Sequence, residues 1–138
     1  MANEWVKVEL YGANNDGSPR RITIADGTAV SKGTLCNLTD PRTTTGAAAS
    51  AAACSGVASE EKNANDGATS ISVWTDGLFN ATASGAISVG DGLRAAGSNQ
   101  VATLDLASMA AIQYGAGVIG YCLYTGEKAE TVNVRLRL

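Results

Sequence analysis

The sequence predicts an all-β fold, a compact small barrel or sandwich of about ten short strands. Three observations carry that prediction. Short runs of period-two alternation recur at intervals of roughly 8–12 residues with turn residues between them. Sixteen glycines stand against two prolines, and five of the seven aspartates directly precede glycine (Asp16, Asp26, Asp66, Asp76 and Asp91). Asp-Gly is turn chemistry, because both residues tolerate positive φ and the aspartate can bond nearby backbone. Finally, the chain repeats itself.

The repeat is seen best at Ala86-Ile87-Ser88-Val89-Gly90-Asp91-Gly92-Leu93, which matches Ala29-Val30-Ser31-Lys32-Gly33-Thr34-Leu35 less one glycine. Downstream, Gly56-Val57 leads to Glu60-Glu61-Lys62 and then Thr69-Ser70-Ile71-Ser72-Val73. Gly120-Tyr121 leads likewise to Gly126-Glu127-Lys128 and then Thr131-Val132-Asn133-Val134. The offset is 57 residues at the first landmark, 64 at the glycine, 66 at the lysine and 61 at the final valine. Insertions and deletions in loops produce such a drift in a duplicated β unit. The predicted organisation is an N-terminal strand and arm, 1–27, and one β domain, 28–138, built from similar half-units at about 28–77 and 85–138.

Element by element, Trp5 to Tyr11 alternates with Val6, Val8 and Leu10 on one face and Lys7 and Glu9 on the other, a strand with one wet side. Gly12 to Pro19 is a polar loop. Arg20 to Ala25 pairs Ile22 with Ile24 on one face and closes at Asp26-Gly27. Thr28 to Thr39 carries the first motif copy and stops at Asp40-Pro41, since proline cannot join a ladder. The Ala-rich run from Gly46 to Ser59 has helix propensity but no polar face, so its latter part reads as a buried strand. Glu60 to Ala68 is a charged turn. Ser70 to Thr75 is a strand with Ile71 and Val73 inward, Asp76-Gly77 a turn, and Leu78 to Ala83 a strand. After the second motif copy come a turn at Gly97-Ser98-Asn99, a strand at Val101 to Leu106 and room for one short helix at Ala107 to Tyr114. Val118 to Tyr124 reads as a buried strand. Thr131 to Leu138 puts Val132, Val134, Leu136 and Leu138 in, and Thr131, Asn133, Arg135 and Arg137 out.

Composition narrows the function classes. Hydrophobic residues make up 45% of the chain but aromatics only 5%, so the core is built mainly of small aliphatic side chains. Net charge is −3 with a pI near 4.8, giving no global pull toward nucleic acid or anionic membrane. Arg20-Arg21 and Arg135 with Arg137 are small basic spots without interleaved aromatics. No run of about 18 apolar residues is present to span a bilayer as a helix. The N-terminal residues have neither the basic start nor the apolar run of a secretion signal, so synthesis in the cytoplasm without a signal peptide is expected.

Catalytic patterns are also missing. There is no histidine, which removes Ser-His and Cys-His activation, histidine metal ligation and the usual neutral-pH base. Cys36, Cys54 and Cys122 have no basic cluster beside them to stabilise a thiolate and form no C-x-x-C; they read as small buried hydrophobes. Gly115-Ala116-Gly117-Val118-Ile119-Gly120 matches G-x-G-x-x-G, but Tyr121-Cys122-Leu123-Tyr124 after it reads as strand, where a dinucleotide site needs a helix N-terminus. Acidic spacing fits no calcium loop. No cofactor and no metal is expected, and no enzyme activity. Trp5, Tyr11, Arg20, Arg21 and Trp74 are the candidate protein–protein contacts, the tryptophans because Trp is enriched where protein surfaces meet.

Three stretches together resemble the head-decoration, or capsid cement, proteins of tailed bacteriophages: Gly56 to Lys62, Gly67 to Gly77 and Ala81 to Asp91. Val118 to Leu123 and Glu130 to Leu136 follow the same rhythm, so the resemblance covers roughly residues 28 to 138. It implies a β-rich virion protein without enzymatic activity, added to the outer capsid surface as a homotrimer, with the major capsid protein as partner and no nucleic acid, membrane or small-molecule substrate. The competing expectation is a carbohydrate-binding or fibre-associated β-module. Such a module stacks several exposed aromatics on sugar rings, and this chain holds seven aromatics in all.

Overall fold

A computed structural model describes residues 3–104 and 118–138. The described residues form ten strands and no helix: β1 (Val6–Leu10), β2 (Arg20–Thr23), β3 (Leu35–Asn37), β4 (Cys54–Ala58), β5 (Ser70–Trp74), β6 (Asp76–Thr82), β7 (Gly92–Gly97), β8 (Gln100–Thr103), β9 (Gly120–Cys122) and β10 (Thr131–Arg137). They make a four-stranded sheet, β2-β5-β4-β3, and a six-stranded sheet, β1-β6-β10-β9-β7-β8, whose paired strands are antiparallel throughout. The stretch predicted as a short helix, Ala107 to Tyr114, lies outside the described residues, as do all but the last three residues of the G-x-G-x-x-G match.

The two sheets share a strand arrangement, and their hydrogen bonds coincide, with β2 joining the first set from inside the predicted arm 1–27 and β6 opening the second set ahead of residue 85. The order β2-β5-β4-β3 repeats as β6-β10-β9-β7, with β1 and β8 added at the ends of the second set. Cys36 faces Gly56 as Leu93 faces Gly120, and Ala58 faces Val73 as Cys122 faces Val134. At the shared motif, Gly33 N donates to Ala58 O at 2.9 Å and Gly90 N to Cys122 O at 2.8 Å. Both motif glycines have positive φ, 84° and 90°, which only glycine adopts without strain. Two details of the sequence alignment slip: Leu35 faces Val57 where Gly92 faces Tyr121, so Leu35 corresponds to Gly92 and not to Leu93, and the lysine slips by two residues. Val30 bridges Lys62 where Ile87 bridges Gly126, so Lys62 corresponds to Gly126 and not to Lys128.

Pleat alternation gives the first sheet two buried faces. Ile22, Cys36, Ala58, Ile71 and Val73 enclose one small core with Ile24 and Val30. Leu35, Val57 and Trp74 point the other way, into a larger core shared with Phe79, Ala81, Leu93, Cys122, Val132, Val134 and Leu136 of the second half-unit. Hence β4 is buried along its whole length, as expected for the latter part of the Ala-rich run. Burying roughly 2 kcal/mol worth of side chain at each such position makes this shared layer the main stabilising term.

Four local expectations are overturned. In β1 the valines face water: Val6 and Val8 are 51% and 52% exposed, whereas Trp5 before them is buried. The core beneath this edge strand is already filled by Trp5, Trp74 and Phe79, and a bulge between Lys7 and Glu9 re-aims the chain. Asp76-Gly77 is no turn but the start of β6. Gly77 is extended at φ 157°, because Glu9 O lies 2.8 Å from where a Cβ would sit. The chain passes from the first sheet to the second at Thr75, whose N–H and hydroxyl donate to Gly17 O and Ser18 O, each at 2.9 Å. Lastly, Val118 to Tyr124 is not a buried strand: only Gly120–Cys122 is strand, and Tyr121, Leu123 and Tyr124 are exposed. Leu138, placed inward by the alternation, lies past the end of β10 and is exposed as well.

Candidate functional site

The candidate contact residues scatter. Trp5 is a core side chain; its indole N–H donates to Asn99 O at 3.2 Å and its ring lies 6.2 Å from Phe79. Trp74 packs obliquely on Phe79 at 5.8 Å, with the Lys7 ammonium 5.3 Å above the Trp74 ring. Both tryptophans therefore serve the joint between half-units. Arg21 projects from β2 into solvent, 3.3 Å from the Glu60 carboxylate and 2.6 Å from Ser70 Oγ. Arg20 alternates to the other side and donates to Pro41 O.

Tyr11 belongs to a polar cluster on the outer face of the six-stranded sheet. The Arg135 guanidinium stacks 4.5 Å from its ring centroid and also pairs with Asp76. The Tyr11 hydroxyl donates to Glu9 at 3.2 Å. Partial desolvation, helped by that bond to an anion, raises the phenol above its ordinary value, so Tyr11 stays a neutral donor. Beside this cluster Tyr121, paired with Arg135 across β9 and β10, stands half in solvent.

Three of the five Asp-Gly aspartates brace their own turns, Asp16 accepting from Ser18 N, Asp66 from Ala68 N and Asp91 from Ser88 N, while Asp26 accepts from the distant Gly67 N and Asp76 pairs with Arg135. Asp66 also holds Lys62, whose side chain is almost wholly buried. The ammonium donates to Asp26 O at 2.7 Å, Asn63 O at 3.1 Å and Asp66 Oδ1 at 3.1 Å. The Ala68 amide first, and then Lys62, hold the Asp66 carboxyl below its usual range. Sequence reading took this segment for a plain charged turn; the signal it held was one lysine among glutamates with an aspartate four residues on.

Chemically, the thiols are inert. Burial pushes Cys36 and Cys54 up to about 12, and raises Cys122 as well. All three are free, and Cys36 and Cys54 lie in different cores on opposite sides of the first sheet. Among the described residues no group of three or more histidine, cysteine, aspartate or glutamate side chains gathers to hold a metal ion. A cleft of about 610 Å³ opens where the half-units meet, lined among others by Arg20, Leu38, Cys54, Thr75, Val118 and Arg137. It brings two cations, Arg20 and Arg137, to the mouth beside the buried Cys54 thiol.

What remains as a site is surface. Four of the exposed large hydrophobics, Val89, Tyr121, Leu123 and Tyr124, gather at one corner of the second half-unit, where Val89 N donates to Thr125 Oγ1 and Gly90 N to Cys122 O. Sequence reading missed this corner because Leu123 and Tyr124 continue an apolar run that looks like strand core.

No family model matches the chain, and no curated protein sequence does. Among solved structures it is similar to the N-terminal base of the head fibre protein gp8.5 of bacteriophage phi29. The identity is 17%, the TM-score is 0.54, and the match covers 86% of this chain and 92% of that one. The likeness is one of fold, and it runs through both half-units.

Proposed function

We propose that this chain is a structural protein of a phage virion that binds the outer surface of an assembled head and stabilises it as a decoration or cement protein, acting as a homotrimer on the major capsid protein. The observation that carries this reading is the fold shared over nearly the whole chain with the base of a phage head fibre. The sequence resemblance to decoration proteins, found independently of that fold, points the same way. No enzymatic activity is part of the reading.

The physics of such a role asks little of each contact. A protein that binds only the assembled lattice stabilises that state by mass action. Many copies on one shell make individually weak contacts sufficient. Electrostatics adds no long-range pull at net charge −3, so binding rests on shape and apolar contact, with modest salt dependence.

The test is direct. Purified chain is mixed with expanded heads lacking decoration, and binding is read by co-sedimentation and electron microscopy, shell strength by heat release of DNA. Saturable decoration with a raised release temperature is expected; bare heads at micromolar chain would sink the proposal. A second reading, a carbohydrate-binding or fibre-associated β-module, is favoured by the same neighbour being a fibre base and by the exposed pair Tyr121 and Tyr124. Glycan-array binding lost in Tyr121→Ala and Tyr124→Ala would support that alternative over cement alone.

A further inference from the structure

Two arginines line the cleft at the seam, and neither has an acid beside it. Arg20 comes from β2 of the first half-unit and Arg137 from the end of β10 in the second. Ion pairs among the described residues engage Arg21, Lys62 and Arg135, but not these two. The Arg20 guanidinium donates to the neutral Pro41 O. The Arg137 guanidinium has no hydrogen-bond partner among the described residues. Its cross-strand neighbour is Asp76, yet that carboxylate pairs with Arg135 instead.

The surroundings sharpen the charge. Cys54 and Ser55 are buried at the cleft, and their donors are already used, the thiol on Ala52 O at 3.5 Å and the hydroxyl on Cys36 O at 3.4 Å. Leu38 and Val118 add half-buried aliphatic wall, and no acidic side chain lines the cleft. Two guanidiniums over a neutral, partly desolvated wall make a locally positive site on a chain of net charge −3. Its volume of about 610 Å³ falls in the usual range of ligand sites, roughly 300–1,000 Å³. A guanidinium fork suits a carboxylate or a phosphate equally, so the rest of the lining decides. Aliphatic wall beside the cations fits a single carboxylate with an apolar neighbour. A polyanion would press its remaining charges against an acidic protein. Arg137 is exposed, so a free small anion keeps much of its water here, whereas a length of chain also covers the walls.

We propose that this cleft is a docking site for an acidic segment of a partner polypeptide, with one glutamate or aspartate paired to Arg20 and Arg137 and an adjoining aliphatic side chain laid on Leu38 and Val118. It goes beyond the decoration reading and does not rest on it. The probe is the peptide Gly-Leu-Glu-Leu-Gly, acetylated and amidated so that the glutamate is its sole charge. It is titrated to millimolar concentration into isotope-labelled protein and followed by amide NMR shifts. Saturable shifts at Ser55, Val118 and Arg137 are expected. The dissociation constant should rise at least ~tenfold in R20Q and in R137Q, and by as much for a peptide with glutamine in place of the glutamate. R21Q, which removes a cation next to the cleft but outside it, should bind as wild type does. Spectra unchanged away from the cleft confirm that each variant is folded. Absence of saturable shifts, shifts centred elsewhere, a glutamine peptide that binds equally, or R137Q binding at full strength overturns the proposal. So does acetate or inorganic phosphate that displaces the peptide at the peptide's own concentration, since either makes this a free-anion site.

Discussion

At the scale of single residues, a few side chains and glycines fix how the half-units meet. Asn99 sits at the tip of the β7–β8 hairpin, yet it is nearly buried. Its carbonyl oxygen accepts from Leu35 N at 2.8 Å and its amide donates to Asn3 O and Gly33 O at 2.8 and 2.9 Å. Asn99→Gly keeps the positive φ of 59° accessible but orphans the buried Leu35 N–H. A loss of about 2 kcal/mol is expected, seen as a fall in Tm of roughly 5–10 °C. Gly120 and Gly85 make a contrasting pair. A Cβ on Gly120 would overlap the Arg135 carbonyl at φ 153°, whereas Gly85 has open space around it. Gly120→Ala should cost at least ~2 kcal/mol and Gly85→Ala almost nothing, measured by urea denaturation. The thiols set an alkaline limit. The unfolded chain ionises Cys36 and Cys54 near their ordinary 9.0 and the folded chain only at about 12. Stability is therefore full below pH 9 and is lost as pH rises from 9 toward 12. Tm read from pH 7 to 11 should fall less steeply in Cys54→Ala, and iodoacetamide at pH 8 should label neither thiol until the chain unfolds.

Among elements, β10 and β1 mark the two ends of what sequence reveals. Val132, Val134 and Leu136 were legible as core because β10 lies mid-sheet between β6 and β9, where alternation maps directly onto inside and outside. Val6 and Val8 show the same pattern and the opposite outcome, since alternation says that a strand has two faces without saying which one is covered. The buried strand β4 was legible from its lack of polar residues, and the hairpin of β7 and β8 from Gly97-Ser98-Asn99, where Ser98 and Asn99 both take positive φ. The apolar corner was not, because only the fold shows which residues of the two copies correspond, and the copies differ in sequence there. Stability should divide accordingly. V6S/V8S should change unfolding free energy by no more than ~0.5 kcal/mol per site, while Phe79→Ala, which removes the ring between Trp5 and Trp74, should cost roughly 3–5 kcal/mol. Denaturant midpoints at a common slope would show either expectation to be wrong.

The whole molecule is two half-units fused by one shared core. Because Leu35, Val57 and Trp74 of the first sheet are packed into the second half-unit, neither is expected to melt alone. Calorimetry should give one transition whose calorimetric and van't Hoff enthalpies agree; two resolved peaks would show the half-units to be independent. The all-β class was legible in the sequence, because period-two alternation and turn residues recur at short intervals along it. Left unread was how the copies differ, with one buried lysine where its counterpart is glycine.

The place of β1 has a consequence in time. This strand, early in the chain, pairs not with its own half-unit but with β6, Val6 against Asn80. β2, β3, β4 and β5 hydrogen-bond among themselves, so they have partners as soon as residue 74 is made. β1 has none until β6 emerges. At a synthesis rate of roughly 5–20 residues per second, the delay between residue 6 and residue 80 is about 4–15 s, and closing so long a loop is slow beside a hairpin. Through that interval an unpaired strand with two bare valines is carried beside a growing chain. The charges of Lys7 and Glu9 then act as guards against premature pairing with a neighbour on the same message.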